Sequence, residues 1–313
     1  MVKKILIILI SIIALYGSAV AFSMIFAHQR KIKPFISRLP EFTVVAHRGA
    51  PMRHPENTLE SFREALKINP AAMLELDVHQ TSDGIIVVHH DGHIVNSAGE
   101  KVHIKNHTLK EIQAIDAGYY ISFDNNVTYP FRGRGYAVPE FKDVLKNFNG
   151  TLISIDIKHH TIECAEIVMK LIRENSAEEN VIIGSFGDEI MNHVRGNYPH
   201  IATSFSKSEV MKFFVLHKLF LTGFFKAKDD AMMIPEFSDT DNPEYLGPGY
   251  KQGFRIISRR FIKEAHALNI PVMAWTVNKK ENMERLYSWG IRGVITDYPD
   301  ILSSVEADNV KNK

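Results

Sequence analysis

Cysteine is nearly missing from this 313-residue chain: Cys164 stands alone, so no internal disulfide can form and a small cystine-stapled scaffold is excluded. An excess of one charge is missing too. With 37 Lys and Arg against 36 Asp and Glu, the net charge of +1 lacks the broad basic footprint of a nucleic-acid binder. There is no Gly-rich phosphate loop, which argues against nucleotide-driven transfer, and no internal repeat. Apolar residues at 45% and charged residues at 23% are ordinary for a folded chain large enough to bury a substantial core. Cys164 falls in an amphipathic helical pattern and is assigned to packing.

Long apolar runs are scarce, with one exception. Ile5–Ala27 carries no charge, between Lys3 and Lys4 on one side and Arg30, Lys31, Lys33 and Arg38 on the other. As a helix it would extend roughly 35 Å, enough to cross a bilayer with some tilt. The expectation is a single-pass membrane anchor with its linker over residues 1–39. The rival reading is a signal peptide cleaved near Ala19-Val20-Ala21. The flanking basic residues lean weakly toward a cytoplasmic catalytic domain, and the side of the membrane stays open.

From residue 40 onward, short β-branched runs alternate with helical patterns. The strands expected are Thr43–His47, Met73–Val78, Leu152–Lys158, Val181–Ser185, Ile201–Phe205, Met232–Pro235, Val272–Val277 and Gly293–Thr296. Eight strands in about 250 residues match a (β/α)8 TIM barrel over 40–313, of the α/β class. Thr81–Val88 looks like a hairpin arm. The polar stretch Gly92–Ala137 is too long for a plain loop and is read as a small insertion over one barrel mouth.

Barrel chemistry sits at the carboxyl ends of the strands. In Met73-Leu74-Glu75-Leu76-Asp77-Val78 the period of two sends Glu75 and Asp77 to one face and the apolar residues to the other. The helices must cover the apolar face, so both carboxylates point into the lumen. By the same alternation Ser154, Asp156 and Lys158 point inward, with Ile153, Ile155 and Ile157 outward. Three converging carboxylates point to a hard divalent cation on oxygen ligands, the alternative being an ion-pair network with Lys158. His47, followed by Arg48, ends the first strand. If Asp83-Gly84 is a two-residue hairpin tip, His90 pairs with Asp77 and His89 faces away. A metal, two imidazoles and two cations suit phosphodiester hydrolysis. The cations would neutralise nonbridging oxygens, and the imidazoles would act as general acid and base.

These residues resemble the glycerophosphodiester phosphodiesterases. The matching segments are Ala46-His47-Arg48-Gly49, Glu56-Asn57-Thr58, Glu75-Leu76-Asp77-Val78, Asp83-Gly84, Val87-Val88-His89-His90-Asp91, Ile155-Asp156-Ile157-Lys158, Trp275-Thr276-Val277-Asn278 and Gly293-Val294-Ile295-Thr296-Asp297. The resemblance implies a distorted barrel, Ca²⁺ or Mg²⁺ held by Glu75, Asp77 and Asp156, and His47 with His90 as the acid–base pair. It implies Arg48 and Lys158 on phosphate and Trp275 beside the glycerol. Asp156 stands where the family commonly has glutamate, and Gly92–Ser97 departs from the family's usual continuation. Asn57 is read as the N-cap of the following helix rather than as a ligand. Phe213–Phe225, with nine apolar residues in thirteen, reads as a buried barrel helix or as an interfacial segment. With the anchor and the Asp156 variant, that segment makes the chain resemble the membrane-bound branch of the family. The substrate is then a glycerophosphodiester, giving an alcohol and sn-glycerol 3-phosphate, or a lysophospholipid, giving lysophosphatidic acid. A catalytically dead, membrane-tethered binding barrel is the reading from another class.

Overall fold

The computed structural model describes residues 2–25, 27, 29–238 and 253–311. The chain opens with α1 (Val2–Ile25), α2 (Pro34–Arg38), β1 (Thr43–His47), α3 (Leu59–Ile68), β2 (Met73–Gln80) and β3 (Ile86–Val88). A small hairpin, β4 (His93–Val95) and β5 (Lys101–His103), is followed by α4 (Leu109–Gln113) and α5 (Phe141–Asn147). Next come β6 (Ile153–Ile157), α6 (Ile162–Glu174), β7 (Val181–Gly184), α7 (Asp188–Asn197), β8 (Ala202–Thr203) and α8 (Lys207–Lys218). The last elements are β9 (Met232–Pro235), α9 (Arg259–Ala267), β10 (Val272–Trp275), α10 (Lys280–Ser288), β11 (Gly293–Thr296) and α11 (Pro299–Lys311).

Eight strands run parallel in the order β8-β7-β6-β2-β1-β11-β10-β9. A parallel bridge between Ser204 and Ala231 joins the two ends of that order and closes the barrel. Side-chain alternation sets its layers. Leu74, Leu76, Val78, Ile153, Ile155 and Ile157 point outward, where Phe62, Ala65, Val168 and Ile172 of α3 and α6 bury them. Val45, Met73, Ile182, Ala202, Ala231, Met273 and Ile295 point inward and fill the lower lumen. Residues 34–39, expected to be linker, instead complete this floor. Phe35, Ile36 and Leu39 of α2 and its end pack beneath the inward residues, and Phe35 is 1% exposed. The preceding segment is tied down as well. Arg30 donates through Nε (3.0 Å) and Nη2 (2.6 Å) to Asp230, and Lys33 Nζ donates to the Ile201 carbonyl (2.6 Å).

The hairpin departs from expectation in register. Its turn holds three residues, Ser82, Asp83 and Gly84, because Thr81 N–H bonds the Ile85 carbonyl (2.9 Å) and Gly84 takes the left-handed conformation at φ +80°. Val78 therefore pairs with Val88 and Gln80 with Ile86, and it is His89, not His90, whose N–H bonds the Asp77 carbonyl (3.0 Å). A turn one residue longer shifts the whole register by one. Segment 92–137 carries its own small core, in which Ile94, Ile104 and Ile112 meet Val87 and Val138.

α1 is apolar over Val2–Ser23, with a mean hydropathy of 2.6, and its side chains are almost all exposed. The Phe213–Phe225 segment divides between its two readings. Phe213, His217 and Phe225 are buried, whereas Val215, Leu219, Phe220 and Phe224 face outward. The floor helix gives a stability prediction. Phe35→Ala should destabilise the full chain by about 3–5 kcal/mol in urea unfolding, the usual cost of emptying a buried aromatic site. A change below about 1 kcal/mol would mean that α2 is linker after all.

Candidate active site

The upper lumen is charged where the lower one is apolar. Parallel register sets His47 beside Glu75 and Asp77 beside Asp156, so residues far apart in sequence become neighbours across strand ends. Glu75 is buried beside Asp77, and both burial and that charge raise its pKa to about 7; His47 and Arg48 oppose the rise. Burial also works against ionised Asp77, but Lys158 and Arg48 overrule it and keep the pKa low. Lys158 Nζ reaches Asp77 Oδ1 (3.2 Å) and Asp156 Oδ2 (2.7 Å). Asp156 remains raised, because its burial outweighs the Lys158 charge.

Arg48 is placed by the backbone. It and Gly49 are consecutive left-handed residues, at φ +54° and +95°, and a Cβ on Gly49 would lie 2.5 Å from Ser61 Oγ. That turn aims the Arg48 N–H at Glu75 Oε2 (3.1 Å) and its guanidinium at Glu56 (3.0 and 3.1 Å) and Asp77 Oδ2 (3.4 Å). Asn57 is not the helix cap. Thr58 caps α3 by accepting from Ser61 N–H (3.2 Å), while Asn57, at φ +56°, donates its amide to Asp77 Oδ2 (3.1 Å). The left-handed backbone turns its side chain toward the barrel instead of along the helix.

Both imidazoles are held through Nδ1 by a carboxylate. His47 Nδ1 lies 2.6 Å from Asp297 Oδ1, and His90 Nδ1 lies 2.9 Å from Asp91 Oδ1. An ionised carboxylate only accepts, so the proton lies on Nδ1 of each ring, and in His47 this leaves Nε2 facing Glu75 Oε2 at 4.0 Å. Asn278 secures Asp297 by donating to its Oδ2 (2.7 Å) and accepting from its N–H (3.0 Å). Burial alone would lower the His47 pKa; the Asp297 hydrogen bond and the Glu75 charge outweigh it and hold the ring above the ordinary value. His90 is about one-third exposed, at 35%, and is near enough for its charge to lower Asp77. The strand ends at Val88, so the ring's direction no longer follows the alternation, and the register shift leaves His90 at the mouth. His79, kept neutral by burial with its pKa down at about 4, donates from Nε2 to the His90 carbonyl (3.0 Å). The His89 ring donates instead to the His93 carbonyl (3.2 Å).

Trp275 ends β10 and packs on the inward cluster, with Nε1 donating to the Met233 carbonyl (2.8 Å). Phe186, 68% exposed after β7, stands 5.4 Å from Lys158 Nζ and forms part of the rim. The structure thus brings together His47, Arg48, Glu75, Asp77, Asp156 and Lys158, with Trp275 and His90 on the wall and mouth. It adds Glu56, Asn57, Asp91, Asn278 and Asp297. The signal for these was present, since each lies inside a segment that carries the family resemblance, but only contacts across strands assign them a task.

Among the described residues, no three His, Cys, Asp or Glu side chains stand in a ready ligating arrangement, because Lys158 and Arg48 lie between the acids. The donor set nevertheless fits a hard cation. Asp156 Oδ1 is buried without a hydrogen-bond partner, and Glu75 is a carboxyl that a nearby positive charge would ionise.

One prediction concerns the imidazole. Asp297→Asn removes the negative charge that helps raise His47 and leaves only a neutral amide oxygen as acceptor, so the ring's NMR-observed pKa should fall. An unmoved titration would refute Asp297 as the source.

Comparison with known proteins agrees with this geometry. The model of the glycerophosphoryl diester phosphodiesterase family matches residues 47–301. A glycerophosphodiester phosphodiesterase of Caldanaerobacter subterraneus is 29% identical over 264 residues, covering 83% of this chain and 95% of that one. A lysophospholipase D of Homo sapiens is 28% identical over 283 residues, 87% of each chain. The structure of an Oleispira antarctica phosphodiesterase in complex with the product sn-glycerol-3-phosphate superposes with a TM-score of 0.66 at 20% identity, over 87% of this chain and 99% of that one, a likeness of fold. A barrel with these strand-end residues, matched from the end of β1 into α11, belongs to the glycerophosphoryl diester phosphodiesterase family and is a phosphoric diester hydrolase.

Proposed function

We propose that the chain hydrolyses glycerophosphodiesters to an alcohol and sn-glycerol 3-phosphate by acid–base catalysis, with His47 and His90 as the proton-transfer pair. The observation that carries this is the matched tethering of the two rings: each Nδ1 is fixed on a carboxylate, so each Nε2 is presented with defined orientation. Arg48 and Lys158 supply positive charge for the nonbridging phosphoryl oxygens, and both are held charged by their acidic neighbours in spite of burial. Glu75, Asp77 and Asp156 would hold a divalent cation, Ca²⁺ or Mg²⁺, whose charge would polarise the phosphoryl group and acidify the attacking hydroxyl. The raised pKa suits His47 to give a proton to the departing alcohol oxygen, while His90 takes one from the attacking hydroxyl. Trp275 and Phe186 offer apolar surface to the parts of the substrate on either side of phosphorus.

A second reading keeps the chemistry and makes the substrate a lysophospholipid. It is supported by the apolar α1, which we read as an uncleaved single-pass anchor, and by the human relative named for that activity. Mass spectrometry of detergent-solubilised full chain, offered glycerophosphocholine and lysophosphatidylcholine together, separates the two. Glycerol phosphate supports the first reading and lysophosphatidic acid the second. A chelator should abolish either product, and turnover that survives it would remove the cation from the scheme.

Roles of the histidines can be tested with a leaving group that needs no proton. His47→Ala and His90→Ala should each lower kcat about 10²–10⁴-fold on glycerophosphocholine. On a p-nitrophenyl diester, His47→Ala should recover most of that loss and His90→Ala should not. The reverse pattern would exchange the assignments.

A further inference from the structure

α8 and the turn after it present an apolar ridge that the barrel does not use. Met211, Val215 and Leu219 repeat at i, i+4 and i+8 along the outer face, 41%, 51% and 46% exposed. Phe220 and Phe224 continue the ridge beyond the helix end. Phe220 has φ +58°, a left-handed backbone that a bulky side chain rarely adopts, and it holds the ring outward beneath the Arg260 guanidinium (4.0 Å). Beside the ridge is a groove of about 620 Å³ lined by Val215, Leu216 and Phe224 and by Lys212, Lys226 and Lys228, with Glu209 in the same lining paired to Lys212 (2.7 Å). Residues 207–228 hold five lysines and one glutamate, in a chain whose net charge is only +1.

The ridge is joined to α1. Tyr16 donates its hydroxyl to the Leu219 carbonyl (2.8 Å), Phe22 stacks on Phe224 with centroids 5.8 Å apart, and Gly223 N–H donates to Ser23 Oγ (2.9 Å). The approach is so close that a Cβ on Gly223 would fall 1.8 Å from the Ser23 carbonyl oxygen. Below it, Arg30 and Lys33 grip Asp230. These contacts fix the height of the barrel on its anchor. Tyr16 and Ser23 both lie within the apolar stretch of α1, and seven residues of helix rise about 10 Å, the depth of the headgroup and acyl boundary.

We propose that the α8 ridge and its lysine-rimmed groove form a docking surface for anionic phospholipid of the bilayer, with the apolar stripe among the acyl chains and Lys212, Lys226 and Lys228 on the phosphates. This rests on the reading of α1 as an uncleaved anchor. The ridge seats the barrel in one orientation, where a flexible tether would leave it free to tumble.

The test uses the full chain in nanodiscs of phosphatidylcholine with and without phosphatidylglycerol, carrying a bimane label on a single introduced cysteine. Buried Cys164, its thiol pushed up to about 12 by burial, does not compete for the label. Brominated acyl chains should quench the probe in Val215→Cys and Leu219→Cys, but not in Lys67→Cys on α3, across the barrel. Combined Lys212→Glu, Lys226→Glu and Lys228→Glu substitutions should reduce the ridge quenching several-fold in discs with phosphatidylglycerol and little in its absence. Far-UV circular dichroism of each variant checks folding. Ile10→Cys reports on the anchor. If it is quenched while the ridge probes read like Lys67→Cys, the docking surface is refuted and the anchor stands. If Ile10→Cys is not quenched either, the anchor reading fails and the docking surface with it. A blue shift at the ridge without quenching would assign it to a second copy of this chain and overturn the proposal.

Discussion

Crowding of negative charge in the upper lumen is the constraint on which the site depends. Alternation along β2 and β6 directs Glu75, Asp77 and Asp156 inward, and closure of the barrel leaves them little water. Buried like charges cannot all ionise without compensation, which is why Glu75 is raised to about 7 while Asp77, bracketed by Lys158 and Arg48, is held low. Much of the surrounding structure answers that demand. Lys158 stands at the end of β6, Asn57 gives up a capping position to serve Asp77, and the left-handed Arg48-Gly49 turn brings a main-chain N–H as well as a guanidinium.

The same closure positions the rings proposed as the proton-transfer pair. β11 pairs with β1, so Asp297, one residue past β11, meets His47 at the end of β1 although 250 positions separate them. His90 reaches an equivalent state by a local route, through its neighbour Asp91 and a carbonyl pinned by His79. One ring is thus half-buried, with a raised pKa, and the other sits at the rim. Two imidazoles in unlike surroundings are what opposite proton-transfer roles require.

The contacts with α1 and the charged cluster lie at opposite ends of the strands. The linker is clamped where β8 and β9 begin, α2 seals the floor, and the charged residues cluster where the strands end. α8 runs between those ends, its inner face carrying Phe213 and His217 into the core and its outer face left apolar. The dual character of Phe213–Phe225 follows from this, since a helix that is apolar on both sides can be packed on only one of them here.

What the sequence determined by itself was periodic. Alternation of apolar and polar residues located all eight barrel strands, showed which carboxylates and lysine face inward, and marked α1 as an element apart, because each of those features depends only on spacing along the chain. The motif segments identified the family. Other features depended on turn geometry or on partners distant in sequence. Asp83-Gly84 marks a hairpin, but whether two or three residues make the turn is decided by how Thr81 and Ile85 bond, and that choice moved His90 away from Asp77. Asn57 before Thr58 reads as a cap until its left-handed backbone turns it toward Asp77. The short α2 has no distinctive pattern and becomes part of the core only because the closed barrel offers an apolar floor to cover. Tertiary structure decided these matters because each rests on contact between segments that spacing along the chain cannot bring together.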